Sequence, residues 1–371
     1  MRTARRLHHR RHHRCERRPV DGLADGVGRG IGSRAVSSSR PTIKDIARVT
    51  GVSVATVSRA LRNLPYVASA TRSRVLDAAA ELQYEAHPQA SRLASGRTWT
   101  IGLAAPQFGA WFPSRALGGI NSVFAKAGYD LLISMMATPE DRRRFLHEAR
   151  SFCRRVDGIV LIDTFVSAEG NSAGDFFDRP VVAVNERLEG AASIIIDNRV
   201  AARRAVEHLI ELGHERIGLV VGPQLEDLPT PVPAQRLLGY EDALRAAGLP
   251  YDPSLAVSGD WTAAGGAVAV SRLLECAQPP TAVFCMSDQM AFGVLWTAAR
   301  RGLNIPGDLS VIGFDDHDLS EAMGLTTMRQ AVDEMGVRAA ETVMTLIDGE
   351  PVSNITWDVP LMVRETTSSV G

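Results

Sequence analysis

The 371-residue chain is 45% apolar and 22% charged, the balance of an ordinary globular protein with room for two or three domains. No apolar run is long enough to span a bilayer as a helix. The formal net charge of −1 hides an asymmetry: residues 1–40 carry 11 Arg against 3 acids, residues 41–98 carry 8 basic against 4 acidic groups, and residues 99–371 are left at −13. A basic front end on an acidic body points to a polyanion partner at one end only.

Residues 1–40 alternate Arg and His, then turn to Gly and Ser with few apolar groups, and are expected to form a disordered basic extension. No hydrophobic segment follows the arginines, as an export signal would require. His8, His9, His12 and His13 have helical i, i+4 spacing, but nothing nearby would order them around a metal.

The stretch from Thr42 to Asn63, TIKDIARVTGVSVATVSRALRN, reads as two short helices joined by a tight turn. Thr42 suits an N-cap, its hydroxyl able to accept an orphan backbone N–H, and Asp45 places a carboxylate in the first turn. Ile43, Ile46 and Ala47 share a face, Gly51 ends the helix, Val52 fills the corner and Ser53 caps the second helix. There Val57, Ala60 and Leu61 form the buried stripe. The other side carries Val54, Ala55, Ser58 and Arg59, a bare face for a solvated helix. It suits a DNA major groove, where small apolar groups meet thymine methyls and an Arg binds guanine through two hydrogen bonds. A third helix is predicted over Ser69 to Gln83, capped by Ser69, with Val75, Leu76, Ala79 and Leu82 closing the small core.

From Thr42 to Thr98 the motifs TIKDIA, GVSVATVSRAL, RSRVLDAAAELQY and RLASGRT resemble the DNA-binding headpiece of the lactose-repressor (and purine-repressor) family of bacterial transcription regulators. The resemblance runs on to the C-terminus. It implies a helix-turn-helix domain over 41–85, with Thr42, Ser53, Val54, Ala55, Thr56, Ser58 and Arg59 at the DNA. It also implies a hinge helix over 86–98, whose Leu93 would wedge into the minor groove.

From residue 99 onward, strands alternate with helices. Apolar runs at 100–105, 129–135, 156–163, 180–185, 216–222, 281–286 and 309–315 read as buried parallel strands. Parallel strands need crossover helices, so an α/β class with two doubly wound halves follows. By resemblance, this is a two-lobed periplasmic-binding-protein-like core, with crossovers near Asp197, Asn304 and Val332. Lobe 1 would then hold 99–197 and 304–331, and lobe 2 would hold 198–303 and 332–371.

Ligands of such sheets sit at the C-terminal ends of strands. The residues there that match the family's effector pocket are Trp111 and Phe112 in the loop after the first strand, Asn185, Arg236, Trp261 and Asp288. Carboxylate and guanidinium can hold sugar hydroxyls while an aromatic ring covers the C–H face. The loop 223–235 departs from the family pattern, being Pro-rich and without a serine shortly before Arg236, so the effector's identity does not carry over. Gly213–His214 is read as turn chemistry, and the acids of Asp315–Asp316–His317 as a structural strand end.

No cofactor, metal site or catalytic residue is expected. Cys15, Cys153, Cys276 and Cys285 show no metal-ligand spacing and suit reduced thiols in the cytoplasm. Gly118–Gly119 and Gly265–Gly266 lack any phosphate-loop spacing. The expected partners are pseudo-palindromic operator DNA, a sugar-like effector and a second copy of the chain. The competing reading, a secreted sugar-binding protein of a transporter, has no use for residues 42–98.

Overall fold

The computed structural model describes residues 41–61, 65–84, 97–166, 172–223 and 231–370. The chain divides into two compact units, Met1–Ala86 and His87–Gly371. The expected basic extension and most of the expected hinge, Leu93 included, lie outside the described residues.

The first unit contains α1 (Ile43–Thr50), α2 (Val54–Leu61) and α3 (Ser69–Glu81). At the start of α1 Thr42 and Asp45 form a capping box, the Thr42 side chain facing the Asp45 N–H and the Asp45 side chain facing the Thr42 N–H. Asp45 accepts both the Thr42 N–H (2.9 Å) and the Thr42 hydroxyl (2.8 Å). Gly51 ends α1 in the left-handed region (φ 69°), and its N–H donates to Ala47 O. Ser53 caps α2 as predicted, accepting the Thr56 N–H at 3.1 Å.

At α3 the expectation fails. Ala68 holds the N-cap position with no side-chain cap, and Ser69 is already helical. The core joins Ile46, Val57, Ala60, Val75, Ala78 and Ala79. Leu76 is 47% exposed, because a stripe starting at Val75 continues through 78 and 79.

The second unit is built on two six-stranded sheets. In chain order its elements begin β1 (Thr100–Ala105), α4 (Trp111–Ala127), β2 (Asp130–Met135), α5 (Pro139–Cys153), β3 (Gly158–Ile162), α6 (Ala173–Phe176), β4 (Val181–Val184) and β5 (Ala192–Ile196). Then come α7 (Asn198–Glu211), β6 (Ile217–Val221), α8 (Pro231–Ala246), β7 (Ala256–Ser258), α9 (Ala263–Leu274), β8 (Ala282–Cys285), α10 (Asp288–Arg300), β9 (Ser310–Asp315) and β10 (Thr326–Arg329). The chain closes with α11 (Val332–Ile347), β11 (Ile355–Trp357) and β12 (Leu361–Met362).

The first sheet runs β11-β5-β4-β3-β1-β2 and is wholly parallel. The second runs β12-β10-β9-β8-β6-β7 and is parallel except for β12. Its inner strands β8 and β9 are buried at every residue, as parallel strands covered on both faces must be. The chain enters the first lobe through Asp157, whose carboxylate accepts the N–H groups of Thr98 (2.7 Å) and Trp99 (2.8 Å).

One of the three predicted lobe crossings is misplaced, and the one at Val332 runs in the opposite direction, from the second lobe to the first. The crossing at Asp197 stands, but Asn304 is not a crossing. The segment 304–331 stays in the second lobe, because β9 pairs with β8 and β10 pairs with β9. The chain returns to the first lobe at about 330–332. There α11 packs on α4, β3 and β4, and β11 pairs with β5. It crosses a third time between β11 and β12, so of 332–371 only the segment from about 361 onward lies in the second lobe.

Helices α4 and α11 approach so closely that a Cβ on Gly336 would overlap the Ala116 carbonyl, and one on Gly119 the Asp333 carbonyl. His214, in its turn, is buried and fixed by Thr281 Oγ1 (2.9 Å) and Ser368 O (3.1 Å), which ties the C-terminal segment to the second sheet.

Candidate functional site

On α2 the inner face buries Val57 and Ala60. Val54 (41% exposed), Ala55 and Arg59 face outward beside Thr56 and Ser58, with the capping Ser53 at the head of the helix. Two methyl-bearing groups and a guanidinium therefore share one exposed surface. The docked helix pair supports that surface from behind, the arrangement by which a helix is presented to a groove. Thr42 lies at the start of α1 and is not part of this face.

The second unit contains a cavity of about 600 Å³ between its lobes. The first lobe contributes Trp111 and Phe112 from the first turn of α4, Asp163 from the end of β3, and Asn185 from the end of β4. The two aromatics were expected in a loop. They start a helix instead, because Pro113 falls in its first turn, where a missing N–H costs nothing. The second lobe contributes Arg236 from α8, Asp260 and Trp261 from after β7, and Asp315 from the end of β9, with Gln330 at the crossing.

The polar groups are held from behind. Asn185 Nδ2 donates to Asp163 Oδ1 at 2.6 Å, and both residues have positive φ (65° and 52°). Arg236 is 3% exposed. Its Nε donates to Asn198 Oδ1 at 2.8 Å, its Nη1 donates to Met286 O, and its guanidinium lies 3.5 Å from the Phe314 ring centre. Burial lowers the Arg236 pKa to about 10, against the pull of the Asp315, Asp163 and Asp288 carboxylates. Gln330 Nε2 donates to Asp315 Oδ1 at 2.6 Å. Burial raises the Asp315 pKa, and the neighbouring Asp288 carboxylate adds to the rise. Burial also raises Asp163, to about 6, although the Asn185 hydrogen bond opposes it.

Of the six predicted ligand residues, the cavity brings together Trp111, Phe112, Asn185, Arg236 and Trp261. Asp288 is the correction. It is fully buried, does not line the cavity, and accepts from the His317 N–H (2.8 Å), Ser320 Oγ (2.5 Å) and Thr327 Oγ1 (2.6 Å). Its carboxylate ties α10 to the segments around β9 and β10, and burial raises its pKa.

The acids that face the cavity are Asp163, Asp260 and Asp315. Asp315 was read as a plain strand end, so that reading is also revised. Asp163 ends a strand just as Asn185 does, and the same strand-end rule would have found it. His317 stacks on Trp111 across the lobes, with ring centres 5.4 Å apart. Among the described residues, no cluster of three or more His, Cys, Asp or Glu could hold a metal ion. No helix there is long and apolar enough to cross a membrane.

Residues 42–87 match the family of bacterial regulatory proteins named for lacI, and residues 206–367 match the periplasmic binding protein-like domain. The chain is 36% identical to the HTH-type transcriptional repressor CytR of Escherichia coli K12, over 89% of this chain and 97% of the relative. It is 35% identical to catabolite control protein A of Priestia megaterium, over 86% and 96%. Among solved structures, it is similar to the Lac repressor dimer bound to operator and the anti-inducer ONPF. That match has a TM-score of 0.78 and 28% identity, and it covers 89% of this chain and all of the other. It is also similar to the transcriptional regulator CelR in complex with cellobiose, with a TM-score of 0.61, 29% identity, and 88% and 100% covered. With a helix-turn-helix at its head and a two-lobed ligand-binding core behind it, the chain belongs to the lacI family of bacterial regulatory proteins and is a DNA-binding transcription regulator.

Proposed function

We propose that the chain is a repressor that binds a pseudo-palindromic operator as a homodimer in the cytoplasm, and that a saccharide in the interlobe cavity sets its operator affinity. The observation that carries this reading is the presence, in one chain, of an exposed face of Val54, Ala55 and Arg59 on α2 and a cavity whose polar groups come from both lobes. In the operator half-site, Arg59 reads a guanine and Val54 and Ala55 meet thymine methyls, with Thr42, Ser53, Thr56 and Ser58 at the flanking backbone and base edges. Leu93 takes the minor-groove role that the family resemblance gives it.

In the cavity, Asp315 and Arg236 hold hydroxyls from one lobe, Asp163 and Asn185 hold them from the other, and Trp111, Phe112 and Trp261 cover the apolar faces. A ligand held this way favours one lobe arrangement over another, and that difference in affinity is what couples to DNA binding. We assign no catalytic role, since the relatives are regulators. The cluster of acid, hydroxyl and imidazole at Asp288, Ser320 and His317 is committed to packing: Ser320 is fully buried, and His317 Nδ1 accepts the Leu319 N–H. Selection of binding sites from random duplex DNA tests the reading. Enrichment of a two-fold site with a guanine in each half supports it, and a pool that stays random refutes it.

A further inference from the structure

The chain enters the first lobe through residues 97–99, at the end of the first sheet opposite the cavity. Asp157 accepts the Thr98 and Trp99 N–H groups, Trp99 has φ 54°, and its ring centre lies 5.1 Å from that of Tyr129. Arg97 Nη2 donates to Asp348 Oδ1 at 2.7 Å, and the Tyr129 side chain reaches the same guanidinium. Asp348 is the C-cap of α11, and Tyr129 follows the end of α4. The last turn of α11 carries no basic residue, so its terminal carbonyls and the Asp348 carboxylate present negative charge with no cation on their own helix. Arg97 supplies that cation.

The same two helices begin at the cavity. Trp111 and Phe112 open α4 and line it, and Gln330, bound to Asp315, stands two residues before α11. At this end the helices also meet the second lobe. Trp111 stacks on His317, and Arg115 Nη1 donates to Asp318 Oδ2 at 3.4 Å while its Nη2 donates to Asp333 on α11. Gly119 and Gly336 let the two helix backbones touch, so the pair moves as one body. At 1.5 Å per residue, the 16 residues of α11 carry a displacement over about 24 Å. A shift of the second lobe at one end of the pair therefore moves Asp348 and Tyr129 at the other. Arg97 follows the helices while residues 98 and 99 stay with the sheet through Asp157, so the chain pivots between them.

Building on the regulator reading above, we propose that Arg97 is a positioning residue: through Asp348 it ties the chain leading to the DNA-binding unit to the α4–α11 pair, and so passes the lobe arrangement on to operator affinity. The two side chains are 38% and 58% exposed, so the ion pair adds little to stability. Its effect lies in the direction it gives the chain.

The test is a double-mutant cycle on the full chain without effector, using the duplex recovered by site selection and a random duplex of equal length. Asp318→Arg sets two guanidiniums against each other across the lobes, and Asp348→Ala releases Arg97 without removing any cation that a phosphate would bind. Affinity is read as the ratio of random to selected Kd, so that added charge acts on both duplexes alike. Asp318→Arg is expected to change that ratio by about two- to thirtyfold in the parent chain, the range for residues that carry coupling between sites. The change is expected to fall below about twofold once Asp348→Ala or Arg97→Gln has broken the pair. Asp348→Ala alone is expected to melt within about 2 °C of the parent, as for an exposed ion pair. An Asp318→Arg effect of equal size with and without the pair overturns the inference, as does no effect in either background, and both results leave the regulator reading intact. A Tm loss above about 4 °C in Asp348→Ala makes the pair a prop of the fold and overturns its positioning role. Selection that recovers no site removes the regulator reading, and the inference falls with it.

Discussion

Replacing Asp288 separates a buried structural carboxylate from a ligand-binding one. Its two oxygens accept three hydrogen bonds, from the part-buried His317 N–H and from the buried hydroxyls of Ser320 and Thr327, around a fully buried acid. In Asp288→Ala the two hydroxyls can rotate in search of other acceptors, but the His317 N–H cannot. Stranding a donor costs about 1–3 kcal/mol, and losing the His317 partner together with the charged acceptor of two hydroxyls would exceed the relief of removing a buried charge. A net loss of about 3–5 kcal/mol is expected, as when one side of a buried charged network is removed. At roughly 2–4 °C per kcal/mol for a unit of this size, Tm should fall by on the order of 10 °C. Asp288→Asn keeps one acceptor oxygen and offers its NH₂ to the hydroxyls, so a smaller loss of about 1–2 kcal/mol is expected. The assay is denaturant and thermal unfolding of each variant, with effector affinity measured on the folded fraction. Unchanged melting together with a weakened effector response would refute the structural role and return Asp288 to the cavity.

Arg59→Ala should lose about 1–3 kcal/mol of affinity for the cognate operator and relax one base position; equal losses on cognate and random DNA would make it a phosphate contact. Replacing the matched thymine by uracil, which lacks the methyl, should weaken binding through Val54 and Ala55, and no change removes that contact. Asp163 titrates near 6 in the folded chain against an ordinary 3.8. Its ionisation therefore favours the unfolded chain: the stability it contributes is present below about pH 4 and is lost as pH rises through 6. Melting curves should show Asp163→Asn gaining on the parent chain from pH 4 to 7, and the opposite trend would contradict the burial. Gly336→Ala should cost about 1–3 kcal/mol through overpacking against the Ala116 carbonyl, read as a lower Tm.

The elements most legible in the sequence were those whose pattern is local. The α2 stripe of Val57 and Ala60 follows from helical spacing, and the long apolar runs of β1, β3, β8 and β9 mark buried parallel strands. The strands that escaped are short or polar, such as the TTMR of β10 and the ITW of β11. Lobe membership was misplaced for a different reason. SVIGFD has the same apolar character in either sheet, and only its pairing with β8, a long-range contact, decides between them. The site was legible as far as strand ends could be counted. Asn185 and Asp288 both follow a strand, but the direction of a carboxylate depends on its partners. Ser320 and Thr327, more than thirty residues away, turn Asp288 inward and leave Asp315 at the cavity. Those hydroxyls carry no local signal of that task.

The central claim, that one chain couples cavity occupancy to operator affinity, is tested most directly by measuring both arms of the linkage. Operator Kd would be titrated with and without saturating saccharide, and saccharide Kd with and without saturating operator. The account predicts that both change by the same factor, on the order of 5–150-fold, because a coupling free energy is reciprocal. An operator Kd unmoved by a saccharide that demonstrably binds would contradict it.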